Sequence, residues 1–87
     1  MSISTDVFAS YLTATGTAVA SRTRVRAVFL TGTGTVIFKD GGGSGTTRMT
    51  LNSTGTASVY IPDNGILFST DVHATISGVT AMTVFYG

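Results

Sequence analysis

Apolar and polar positions alternate with period two along most of the chain, and glycine-containing polar clusters cut the alternation into pieces. Successive side chains of a strand point to opposite faces, so this period predicts β-structure. The clearest run is 23–31, where Val25, Ala27 and Phe29 point one way and Arg22, Arg24 and Arg26 the other. Val28 and Leu30 continue the arginine face, which turns apolar halfway along. A strand that is apolar on both sides at one end is covered there by another layer or another subunit. Thr47, Met49 and Leu51 alternate with Thr46, Arg48 and Thr50; Val72, Ala74 and Ile76 alternate with Asp71, His73, Thr75 and Ser77. Further strands are expected over 15–20, 35–38, 57–61, 66–68 and 82–86. The predicted core is Val25, Phe29, Phe38, Met49, Leu51, Val72, Ile76 and Val84.

Between these runs, Gly32-Thr-Gly34 and Asn52-Ser-Thr-Gly55 read as turns, and Gly78 as a break. Pro62-Asp-Asn-Gly65 is the strongest turn signal, because proline presets φ and Asn-Gly tolerates positive φ. About six to eight short strands with turns every 8–12 residues predict an all-β fold. The expected domain is a single small antiparallel β-sandwich, jelly-roll-like, over residues 13–87. Residues 1–12 are read as an N-terminal arm. Val7, Phe8, Tyr11 and Leu12 suit either a short helix capped by Asp6 or an extended segment laid on a neighbouring subunit, and both remain open.

Composition sharpens this picture. Glutamate and glutamine are absent and Lys39 is the only lysine, so helix-forming surface residues are scarce. At 87 residues the chain has room for one domain, and ordering it costs on the order of 100 kcal/mol. Small domains usually offset that cost with disulfides, a metal or association. With no cysteine and one histidine, association is expected, and no cofactor or metal. A net charge of +1 and 10% charged residues give little attraction to nucleic acid or to an acidic membrane. The start, Met1-Ser-Ile-Ser-Thr-Asp6, lacks the basic and apolar parts of a secretory signal, and no apolar run is long enough to span a bilayer.

Little here points to catalysis, and no enzymatic activity is expected. His73, with Asp71 two residues earlier, is the only candidate base near neutral pH, but no nucleophile elbow accompanies it. An exposed or interfacial histidine is the plainer expectation. Asp6, Asp40 and Asp63 sit at turns or a helix cap, where aspartate serves the backbone. The Gly41-Gly-Gly-Ser-Gly45 run is followed by a strand rather than a helix, which argues for a hairpin and against a phosphate cradle. Arg22, Arg24 and Arg26 have no interleaved aromatics, so an interface with acidic groups suits them better than a nucleic acid. The expected contact surface is Arg22, Arg24, Arg26, Val28 and Leu30, with Phe8, Tyr11 and Leu12 as a docking arm.

Two stretches, Val36-Ile-Phe-Lys-Asp-Gly-Gly-Gly-Ser-Gly-Thr-Thr47 and Gly65-Ile-Leu-Phe-Ser-Thr-Asp-Val-His-Ala-Thr75, and the terminal Val84-Phe-Tyr-Gly87, carry a resemblance. Over roughly residues 20–87 the chain resembles small virion structural proteins of tailed bacteriophages, especially marine ones. The resemblance implies a structural part of the particle, on the capsid surface or tail, with capsid decoration or cement favoured. It implies contacts with copies of itself and with other virion proteins such as the major capsid protein. The alternative is a tail-tip or fibre domain binding host glycan, with Tyr11, Tyr60 and Tyr86 as aromatic platforms.

Overall fold

A computed structural model describes residues 8–61 and 65–87. It is all-β, with seven strands: β1 Phe8–Leu12, β2 Gly16–Val19, β3 Thr23–Asp40, β4 Thr46–Tyr60, β5 Ile66–Phe68, β6 Val72–Ser77 and β7 Ala81–Tyr86. All pairings are antiparallel and belong to one sheet.

The registers reduce the seven strands to a simpler plan. Val28 pairs with both Val59 of β4 and Val84 of β7, and Val36 with both Leu51 of β4 and Ile76 of β6. A strand has only two edges, so β6 and β7 lie end to end along one edge of β3. Val25 pairs with Ile66 and Tyr86, which puts β5 on the other edge, in line with β4. β2 and β1 extend the sheet beyond β6 and β7 in the same way.

These long lines are folded. An 18-residue strand would reach about 56 Å if straight, more than the 42 Å greatest extent of the molecule. Instead the two ends of β3 meet one turn: Thr23 pairs with Phe68, and the Asp40 carboxylate binds Ser69 and Thr70. The corner crosses residues 13–15, 78–80, 32–34 and 53–55. Gly32, Gly55 and Gly78 have positive φ there. A Cβ on Gly34 would overlap the Ser77 carbonyl oxygen, so only glycine permits the close approach. The result is two layers around one core, a nearly closed barrel in which the Ser10 hydroxyl donates to the Ala18 carbonyl at 2.8 Å.

One layer contributes Val28, Leu30, Met82 and Val84 to the core, the other Val36, Phe38, Val72 and Ala74; Val25 and Phe68 join them at the end. Val25, Phe38, Val72 and Val84 are buried as expected, and Met49, Leu51 and Ile76 are packed against the core. Phe29 is not: a bulge between Val25 and Ala27 shifts the alternation, turning Val28 and Leu30 inward and Phe29 outward. The expected turns at 32–34 and 52–55 are corners within β3 and β4, which are therefore long strands rather than short ones. The arm expected over residues 1–12 is, from Phe8 onward, an edge strand paired with β7; residues 1–7 and the 62–64 turn lie outside the described residues.

Candidate interaction surface

The bulge at Arg26 decides what the outer face of the first layer carries. Two rows of paired residues cross it. One runs Tyr11, Thr83, Phe29, Ser58; the other runs Ala9, Phe85, Ala27, Tyr60. Aromatic and small side chains alternate in both directions, which leaves grooves between the rings. One groove of about 220 Å³ lies among Phe29, Ser58, Tyr60, Thr83 and Phe85. A second, of about 300 Å³, lies among Tyr11, Phe29, Thr31, Ala81 and Thr83. Tyr60 is 83% exposed, Tyr11 66% and Phe29 41%, although aromatic bodies gain most from burial. None of the side chains in these rows is charged.

The outer face of the second layer is different in kind. Lys39, His73 and Thr17 form one row, and Thr35, Ser77 and Asn52 fall in another. Thr35 donates to the Asn52 side-chain carbonyl at 2.9 Å, and Lys39 Nζ to the Gly43 carbonyl at 3.0 Å. That face suits water, whereas the aromatic one leaves large apolar rings exposed to it.

The expected contact residues divide accordingly. Tyr11 lies on the aromatic face, whereas Phe8 is exposed at the sheet end with its ring centroid 5.7 Å from that of Tyr86. Leu12 packs on the core. Val28 and Leu30 are interior residues at 1% and 0% exposure, which removes them from any contact surface. Arg22 is exposed, and Arg24 and Arg26 are half-buried. Arg26 Nε is buried and, among the described residues, has no hydrogen-bond partner. The surface residues missed from sequence are Phe29 and Phe85. Phe29 escaped because a bulge, which periodicity does not reveal, turns it outward, whereas Phe85 is legible as the outward neighbour of the core residue Val84.

Asp40, Asp71 and Arg48 hold loops and layers together. Asp40, with its side chain 5% exposed, accepts the backbone N–H of Ser69 at 2.9 Å and of Thr70 at 2.8 Å. The Ser69 hydroxyl and the Arg48 guanidinium each donate to it at 3.2 Å. The two backbone N–H bonds, reinforced by Arg48 against the opposing effect of burial, hold this carboxyl well below the usual carboxylate range. Asp71 accepts N–H groups from Gly41 and Gly42 at 2.9 and 3.1 Å, which anchors the glycine loop. It is thereby occupied, and no hydrogen bond joins it to His73 among the described residues. His73 lies beside Gly43, where an added Cβ would be 3.4 Å from its Nε2. No His, Asp or Glu cluster of three gathers among the described residues. The glycine run joins β3 to β4, as a hairpin requires.

Comparison with known proteins gives no match: no family model fits the chain, and neither a curated protein nor a solved structure is similar to it.

Proposed function

We propose that the chain is a non-enzymatic structural protein of a phage virion, a capsid decoration or cement protein that works by contact with copies of itself and with the major capsid protein. The observation that carries this reading is the uncharged aromatic face formed by Tyr11, Phe29, Tyr60 and Phe85. Tyr60, Tyr11 and Phe29 alone offer on the order of 400 Å² of aromatic surface. The rest of the two rows brings the face toward the roughly 800 Å² per partner of a stable interface. Aromatic anchors in grooves are also the residues that dominate binding energy at such interfaces.

Gradient-purified particles of the phage that encodes the chain test this. The protein should co-sediment with them at fixed stoichiometry to the capsid protein. Phe29→Asp places a charge in the face without touching the core, and should leave the particle fraction. Recovery of wild-type protein only in the unassembled fraction would overturn the reading.

A glycan-binding tail component is the second reading, favoured by hydroxyls of Ser58, Thr83 and Thr31 lining grooves beside Tyr60 and Tyr11. It ranks second because no carboxylate, amide or guanidinium stands in those rows to fix a sugar's orientation. A glycan array on the isolated protein separates the two.

A further inference from the structure

Folding the sheet in two leaves one long edge open. β4 is 15 residues long and pairs only with β3 among the described residues, so alternate N–H and C=O groups along its other edge have no strand partner. Natural proteins blunt such edges with lysine, proline, inward charges or short strands. β4 contains neither lysine nor proline, and its single charge, Arg48, is bound to Asp40. The opposite edge of the sheet is a poorer template. It is broken between Leu12 and Gly16, and the Ala18 carbonyl already accepts the Ser10 hydroxyl.

We propose that β4 pairs antiparallel with β4 of a second copy, across a two-fold axis at Thr54. The proposal deepens the reading above and rests on its premise of subunit contact, but it uses a different surface. The corner fixes the register. β4 bends at 53–55, where Gly55 with φ +152° lies opposite Gly32 with φ +102°. A second bent strand continues the same folded sheet only if its bend lies beside this one, and an axis at Thr54 is the position that achieves it.

The side chains then match without having been used to choose the register. Met49 falls opposite Val59 of the second copy and Leu51 opposite Ala57. All four belong to the inward-facing positions of β4, which remain half-exposed because nothing flanks them. On the outer face Thr50 meets Ser58, and Thr54 meets itself, so no like charges oppose. The bulge at Arg48, opposite Phe38 and Lys39, ends the regular run at Met49. Pairing over 49–59 makes about ten main-chain hydrogen bonds, the number a standard interface carries.

The absence of cysteine from the sequence makes the test clean. Light scattering on the wild-type protein should give twice 8.9 kDa. Thr54→Cys should cross-link to a covalent dimer under mild oxidation, because strand neighbours bring Cβ atoms near disulfide range. Thr50→Cys and Ser58→Cys should cross-link when mixed and not separately. Thr54→Lys sets two ammonium groups together at the axis and should raise the dimer dissociation constant at least about tenfold, with the circular dichroism spectrum unchanged. A wild-type monomer at about 100 µM overturns the proposal. So does a dimer that cross-links through Phe29→Cys and not through Thr54→Cys, a result that leaves the aromatic-face reading standing. Conversely, edge cross-linking in a protein absent from particles keeps the edge and sinks the virion reading.

Discussion

Residues 28, 29 and 30 carry three apolar side chains in succession, and strict alternation cannot say which belong inside. The bulge at Arg26 answers by adding one residue to β3, so that Val28 and Leu30 take the interior and Phe29 the surface. The two kinds of position should respond differently to truncation. Leu30→Ala removes a fully buried side chain facing Met82 and Ala57, and should cost about 2–5 kcal/mol in urea unfolding. Phe29→Ala should cost about 1 kcal/mol, because much of its ring already meets water. The reverse order would place Phe29 inside and abolish the aromatic face. From the sequence, Val25, Phe38, Val72 and Val84 could be assigned to the core because each sits in a short run of regular alternation that ends before a bulge interrupts it. Phe29 could not, since that bulge depends on hydrogen bonding with β7, which is remote in sequence, rather than on any residue near it.

Strands and turns show the same division between local and distant causes. Period two locates most strand segments, but the glycines of 32–34 and 52–55, which suggest chain reversals, serve as corners in strands that continue. The difference is tertiary: Gly34 is needed because the Ser77 carbonyl comes up against it, and residue 77 is remote in sequence. Asp40 is a parallel case, placed correctly at the start of a hairpin loop while its main partners, Ser69 and Thr70, lie in the β5–β6 connection. That carboxylate ties the end of β3 to the turn beside the start of β3, so it fastens the two layers. Its pKa is lower folded than unfolded, so the stabilisation is complete above the unfolded value of about 3.9 and is lost as pH falls toward the folded one. Melting temperature should therefore hold near neutrality and drop below about pH 4. Asp40→Asn should lower it at pH 7, with the gap to wild type narrowing steadily toward pH 2 as the unfolded aspartate takes up its proton. A gap that stayed constant with pH would mean that ionisation of Asp40 contributes nothing to closing the layers.

For the whole molecule, the decisive asymmetry lies between its two outer faces. Lys39, His73 and hydroxyl-bearing side chains occupy one, while the other presents Tyr11, Phe29, Tyr60 and Phe85 in rows without charge. A surface of the second kind associates by removing apolar area from water, a force that salt does not screen. Binding to nucleic acid through Arg22, Arg24 and Arg26 would behave oppositely, because each neutralised phosphate releases counterions and the affinity falls steeply with salt. Calorimetric titration of the protein onto the proposed capsid partner distinguishes these forces. Affinity should change less than about threefold between 50 and 500 mM salt, since no phosphate or acidic group need be neutralised. The heat-capacity change should be negative, as burial of aromatic surface demands. A fall of a hundredfold or more over that range would assign the contact to the arginine row instead, and the aromatic rings would then have to be explained by something other than docking.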